Sequence, residues 1–310
     1  MAALEHLRSI RLQEGIIVLD GAMGTELEAR GAAMDSDAWC GLVNLSDPGL
    51  VRAVHEDHIR AGADVVITNT FMSGLGPMRR AGAGDRFEAG IENAVDAARE
   101  AVRRAAERPV TIAGSVGATP WGRPPVDPDT GAADEQVRAG YARQVRLLAD
   151  AGVDLIALEM VTDARLGRLA LDAALDSGLP VWVGLSMRRP GRDPSQYESL
   201  PAVEPEGRAV AEACLRDGLD AVNVMHTDID DVDSALEMLR PLWGGPVGVY
   251  PHHGRWARPH WTFVDVPTEI LAGLARGWID RGATMLGGCC GLRTHHVAVL
   301  REIADAHRPG

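Results

Sequence analysis

Apolar positions along the chain fall into short, near-continuous runs separated by longer stretches of mixed character. Eight runs stand out: IIVLDG (16–21), DVVITNT (64–70), VTIAGSVG (110–117), DLIALEM (154–160), VWVGLSM (181–187), AVNVMH (221–226), VGVYPH (247–252) and TMLGGCC (284–290). Runs without in–out alternation read as strands buried on both faces, and each intervening stretch is long enough for a helix. A recurring punctuation marks the joints: AGAD (61–64), AGVD (151–154), SGLP (177–180), DGLD (217–220) and RGAT (281–284). Each follows an amphipathic stretch and precedes an apolar run. Glycine suits the left-handed position just past a helix, where a Cβ is costly. Eight such units in 310 residues predict an α/β fold, a single-domain (βα)8 TIM barrel over residues 1–310, with a doubly wound open sheet as the alternative. No GxGxxG follows the first run, so a dinucleotide-binding reading lacks its main support.

A barrel of this kind carries its chemistry at the C-terminal ends of its strands. Those ends bring Asp20, Asn69, Thr70, Ser115, Glu159, Ser186, His226, His252, His253, Cys289 and Cys290. Strands of one parity share layers inside a barrel, so Glu159, His226 and the cysteine pair, on the fourth, sixth and eighth strands, are expected to converge.

Composition narrows the partners. A formal net charge of −13, from 31 basic against 44 acidic residues, disfavours nucleic acid. No apolar run is long enough to span a membrane. MAALEHLRSIRLQEG, at the start, lacks the apolar core of an export signal, so a cytoplasmic protein is expected. Structural disulfides are rare there, which makes the cysteines thiols or thiolates.

Two of the four cysteines are adjacent, in MLGGCCG (285–291). Neighbouring residues on a strand point to opposite faces, so both bind one ion only where the strand breaks. Gly287, Gly288 and Gly291 are read as supplying that freedom. Thiolates suit zinc, and a catalytic zinc takes three protein ligands and leaves one position open. His226 is the candidate third ligand. Cys214 is expected to be a buried helix residue, Cys40 a packing residue, and His295 and His296 surface residues at a helix start.

The chain resembles the homocysteine S-methyltransferases from about Ile16 to Ala304. The resemblance is carried by LDGAMGTEL (19–27), ITNTF (67–71), AGSVG (113–117), LIALEM (155–160), VGVYP (247–251) and LGGCCG (286–291). It implies the same barrel, a zinc cofactor, and methyl transfer from a small donor to a thiol, homocysteine by default. It implies zinc on Cys289 and Cys290 and places the family's third cysteine at His226, a departure that makes the ligand set one charge less negative. A weaker sulfur nucleophile follows, and with it a more reactive donor or a different acceptor, including a selenol. The resemblance also implies that Asp20, with Gly21, Ala22 and Met23, holds the amino-acid end of the acceptor, and that Glu159 takes its ammonium. Asn69, Thr70, Ser115, Trp121, His252 and His253 complete the expected substrate pocket. The family's YPNSG reads YPHHG here (250–254), and its aromatic GPYG segment reads GATPWG (117–122).

Seven tryptophans against three phenylalanines raise a further point. Trp121, Trp256 and Trp261 lie in loops at the active face, where an onium methyl donor would be drawn to an aromatic ring. The chain has no room for a cobalamin or folate domain, so a small-molecule donor or a methyl-carrier protein is implied. The fold is compatible with a homo-oligomer. Two other readings stand beside the methyltransferase: a zinc hydrolase or lyase using the extra histidines to activate water, and a non-enzymatic thiol- or metal-responsive protein.

Overall fold

The computed structural model describes residues 2–118, 134–192, 200–257 and 260–307, with backbone alone at 255–257 and 260–261. All eight expected strands form, and all run parallel. They are β1 (Ile17–Val18), β2 (Val65–Ile67), β3 (Thr111–Gly117), β4 (Leu155–Val161), β5 (Val181–Leu185), β6 (Ala221–Asp228), β7 (Val247–His252) and, after a two-stranded interruption, β10 (Met285–Leu286). The first and last are much shorter than their apolar runs. The five predicted joint glycines, Gly62, Gly152, Gly178, Gly218 and Gly282, all have positive φ, between +72° and +111°. Their recurrence in the sequence is thus a backbone requirement, not a packing preference.

The hydrogen-bonded order β1-β10-β7-β6-β5-β4-β3-β2 leaves β1 and β2 at the ends of the sheet. A single parallel bridge, Leu19 to Val65, joins them and rounds the sheet into a nearly closed barrel. Side chains make up for the missing ladder at this seam. Val18 N–H donates to Asp64 Oδ2 (2.9 Å) and Ile67 N–H to Asp20 Oδ2 (2.8 Å). Asp64, fully buried, also takes Arg108 and Arg301 at 3.0 Å each. Removing a buried carboxylate that binds two guanidinium groups and a strand amide takes one partner from each of the three. Asp64→Ala is therefore expected to destabilise by about 3–5 kcal/mol. Urea unfolding checks this, and a loss below about 1 kcal/mol would mean that the backbone bridge alone closes the barrel.

Inside the barrel, Ile17, Leu19, Val65, Ile67, Leu155, Ala157, Trp182, Met225, Tyr250 and Met285 form one apolar cluster. The first helix, Ala2–Leu12, stoppers its N-terminal mouth with Leu7 and Ile10. A larger cluster lies between the strands and the outer helices. The floor is thus sealed and apolar, and polar chemistry is left to the C-terminal mouth. A hairpin that the apolar pattern did not signal, β8 (Gly254–Ala257) with β9 (His260–Phe263), follows β7 there and pairs Trp256 with Trp261 in register. Among the described residues no helix is long and apolar enough to cross a membrane.

Candidate active site

The segment after β10 brings both cysteines to one side. Gly287 N–H donates to Val249 O (2.9 Å) and Cys289 N–H to Pro251 O (2.7 Å), so the ladder to β7 runs on to Cys289. The chain then turns, with Leu292 N–H on Cys289 O at 3.0 Å. Of the three flanking glycines, Gly291 alone uses left-handed backbone, at φ +85°. Gly287 and Gly288 serve close approach instead. A Cβ on Gly287 would meet Leu19 and Tyr250 at 2.6 Å, and one on Gly288 would meet Leu292 at 2.4 Å. The expectation that all three supply conformational freedom is therefore corrected for two of them.

His226 reaches the same place by a different device. On β6, Ala221 and Met225 face the barrel interior while Val222 and Val224 face the helices. Strict alternation would turn His226 outward with them. The β6–β7 register instead slips between Met225 and Asp228, and His226 adopts φ +39°. A β-bulge re-aims the side chain, at a backbone cost of order 1–3 kcal/mol. The same device recurs on β4, where the register slips between Leu158 and Val161 and Met160 has φ +51°.

The result is a compact donor set: Cys289 Sγ lies 3.5 Å from His226 Nδ1 and 3.8 Å from Cys290 Sγ. Candidate ligand atoms of all three residues lie within 4.8 Å of one another. For metal–sulfur bonds of about 2.3 Å and metal–nitrogen bonds of about 2.0 Å, tetrahedral edges are about 3.8 Å for S–S and about 3.5 Å for S–N. The two separations made by Cys289 match these edges, and with Cys290 and His226 within 4.8 Å of each other the three residues are compatible with one tetrahedral cation. Cys290 and burial push the Cys289 thiol well above its usual pKa, against a lowering by His226. Without a cation beside it, the Cys289 thiolate is disfavoured next to Cys290.

A second polar group lies nearby. Burial pushes Asp20 up to about 8, although Ile67 N–H and Tyr250 O–H both donate to it, and the Glu159 charge adds to the rise. Tyr250 Oη lies 2.9 Å from Asp20 Oδ1 and 3.2 Å from Gly21 O. Burial likewise raises Glu159 to about 7, against a lowering by the nearby Ser115 hydroxyl. Burial thus brings both carboxyls toward neutrality, and a cationic ligand would favour their ionised forms. The charges of Glu159 and Cys289 both act on Tyr250, which places the carboxylates and the sulfurs in one electrostatic neighbourhood.

The first and last of the motifs grip each other. Ala22 N–H donates to Leu292 O (2.9 Å), Gly288 N–H to Asp20 O (3.1 Å), Gly291 N–H to Thr25 Oγ1 (3.4 Å), and Arg293 to Glu26 (2.7 Å). Gly21 is wedged between His58, Leu292 and Val297, where a Cβ would come within about 3.1 Å of each. Met23 is half-buried in an apolar cluster with Trp39 and Cys40.

Other expected pocket residues are tied into the scaffold. The Asn69 amide donates to Cys40 O (3.0 Å) and Asn44 Oδ1 (2.9 Å) and accepts from Cys40 Sγ (3.0 Å). Thr70 Oγ1 donates to Ser115 O at 2.7 Å. Gln144, which the strand-end argument could not find because it lies on a helix, donates to Thr70 O at 3.1 Å. His252 is fully buried, and its ring lies 4.3 Å from that of His226. His253 is half-buried, with its N–H on Cys290 O at 3.0 Å. Ser186 is buried. Trp121, with most of its GATPWG segment, lies outside the described residues, as do the side chains of Trp256 and Trp261. Tyr250, within VGVYP, is a site residue that strand-end position alone does not single out; a hydroxyl on an inward-facing strand position is its signal.

Cys40 and Cys214 are buried, as expected. His296 is not at the surface but buried. Its Nδ1 accepts from Arg293 N–H (2.8 Å), which leaves Nε2–H to donate to Val266 O (2.7 Å). Both ring nitrogens are thereby committed, which disqualifies His296 as a ligand in the exposed group it forms with Asp265 and His295.

Residues 17–304 match the homocysteine S-methyltransferase family. A homocysteine S-methyltransferase of Escherichia coli (strain K12) is 30% identical, with 97% of this chain and 99% of that protein covered. A selenocysteine methyltransferase of Astragalus bisulcatus is 28% identical over 88% of each chain. The solved structure of the E. coli homocysteine methyltransferase MmuM in its metallated form superposes with a TM-score of 0.75 at 25% identity, covering 96% of this chain and 99% of that one. With eight parallel strands, a barrel mouth carrying adjacent cysteines, and a match spanning nearly the whole chain, this protein is a methyltransferase belonging to the homocysteine S-methyltransferase family.

Proposed function

We propose that the protein is a zinc-dependent S-methyltransferase that moves a methyl group from a small donor to a thiol, with homocysteine as the default acceptor. The observation that carries this reading is the donor set of His226, Cys289 and Cys290, whose S–S and S–N separations of 3.8 and 3.5 Å equal the edges of a tetrahedral site. Bound there, zinc would stabilise the acceptor sulfur as its anion near neutral pH. The chain supplies the rest. Glu159 and Asp20, buried and readily ionised beside a cation, receive the acceptor's ammonium. The loop Gly21–Met23, bound to the cysteine-bearing turn through Ala22 and Leu292, sets the distance between ammonium and sulfur. Met160, Leu200 and Phe71 form a small apolar cluster at the mouth that excludes water from the methyl group in transit. Fixing both partners in line supplies much of the acceleration for a displacement of this kind.

Two thiolates and one imidazole carry less negative charge than three thiolates. Such a set holds an acceptor anion more firmly and makes it less nucleophilic, which favours a reactive onium donor. The selenocysteine relative points to a selenol as the alternative acceptor.

Zinc-edge X-ray absorption on the reduced protein, with and without homocysteine, tests the reading. The expected resting site has two sulfurs and at least one nitrogen, and it gains one sulfur when homocysteine is added. An unchanged sulfur count sinks homocysteine as the acceptor, and a protein that holds no zinc sinks the reading whole.

A further inference from the structure

His226 is the weak point of the donor set. Both cysteines leave a paired strand and enter a turn with its own hydrogen bonds, whereas His226 sits on a bulge in left-handed backbone at φ +39°. A β-carbon in that conformation is disfavoured, and the residue stays there only if its surroundings hold it. An imidazole must also be turned so that one nitrogen points at the cation, a demand that a thiolate sulfur does not make. Something has to fix both the bulge and the ring.

The structure assigns this task to His252, as a positioning residue for the candidate ligand His226. His252 grips the far side of the bulge with its backbone: it pairs with Asp228 in register, and its carbonyl accepts from Ile229 N–H at 2.9 Å. Its ring then returns over the bulged residue. The two imidazole centroids are 4.3 Å apart and the planes are inclined by 33°. His252 is fully buried and His226 nearly so, at 0% and 5% exposure, so neither ring can swing without displacing packed neighbours. One residue thus braces the backbone and the ring plane of the same ligand. The fully buried His252 ring suits this role better than the substrate-pocket role expected for it. Residues that orient a metal-bound imidazole typically contribute 10–100-fold to metal affinity.

This inference rests on the reading that His226 holds zinc, and the test separates the two. Zinc affinity is measured by competition with a chromogenic chelator for the parent, His252→Asn, His226→Cys and the double variant, alongside the thermal midpoint of each metal-free protein. His252→Asn is expected to lose 10–100-fold in affinity in the parent background. In the His226→Cys background, where there is no ring to orient, the same change is expected to cost less than about twofold. An equal loss in both backgrounds overturns the proposal, because it would report a general loosening of the mouth. No loss in the parent overturns it too. A parent that binds no zinc, or whose X-ray absorption shows no nitrogen ligand, brings down the zinc reading itself. Should His252→Asn fail to fold, His252→Phe replaces it. Phe keeps a flat ring over His226, so affinity within about threefold of the parent is expected, and a loss above tenfold overturns the stacking role.

Discussion

Cys290→Ala is expected to lower zinc affinity by roughly 10²–10⁴-fold and to abolish methyl transfer at ordinary zinc concentrations. Binding energies of about 10–16 kcal/mol for zinc on thiolate and imidazole ligands, shared among three residues, put about 3–5 kcal/mol on each. Cys290 is buried and sits 3.8 Å from the other sulfur, so its loss takes away one of the two thiolates that fit the cation. The sulfur pair also predicts a proton count. Cys290 and burial favour the protonated Cys289 thiol, so metal binding must expel protons. Calorimetry in buffers of different ionisation enthalpy is expected to show fewer protons released by the variant than by the parent. A Cys290→Ala protein that keeps one zinc per chain and a rate within tenfold of the parent would remove Cys290 from the site.

Glu159→Gln is expected to raise the KM for homocysteine by roughly a hundredfold, with a smaller effect on kcat. Glu159 is 8% exposed, and a charge-assisted bond to an ammonium in such a place is worth about 3 kcal/mol. The pH dependence sharpens the test. Burial raises the Glu159 carboxyl from 4.5 to about 7, so the form able to hold an ammonium grows as pH rises through 7. KM for the parent is expected to fall over that range, and Glu159→Gln is expected to flatten the fall. Stability moves the other way. Because the folded-state value is the higher one, Glu159 stabilises the fold below pH 4.5, and that contribution is lost as pH rises through about 7. Glu159→Gln is expected to remove this decline in unfolding free energy. A variant with the parent's KM and the parent's pH profile would take Glu159 out of acceptor binding.

The barrel was legible because its joints are. A glycine at positive φ is a residue-level necessity where it closes a helix, and five such joints set the rhythm of strands and helices. The adjacent cysteines were legible for a similar reason, since the glycines that let their segment pack closely against its neighbours are written beside them. What could not be read were the features carried by residues that hide their conformation. His226 and Met160 adopt left-handed backbone without being glycine, so the bulges that aim the mouth leave no mark in the sequence. The hairpin after β7 has no long apolar run to announce it. His296 looked like a surface residue because it is polar and near a helix start, yet a backbone amide and a backbone carbonyl both bond its ring, and these partners lie in the fold rather than in the pattern.

The seam between β1 and β2 has a kinetic meaning. Elsewhere in the barrel each strand is zipped to its neighbours by several backbone bonds, and opening one leaves the rest. Here the amides of Val18 and Ile67 rest on two carboxylates instead. Amide hydrogen exchange should therefore find the lowest protection of the inner barrel at these two positions. The loop that begins at Gly21 is attached directly to this joint, so any breathing of the cylinder carries one wall of the mouth with it. A barrel that opens at a single hinge line can widen its entrance for an incoming amino acid while the zipped strands beneath the sulfurs stay still.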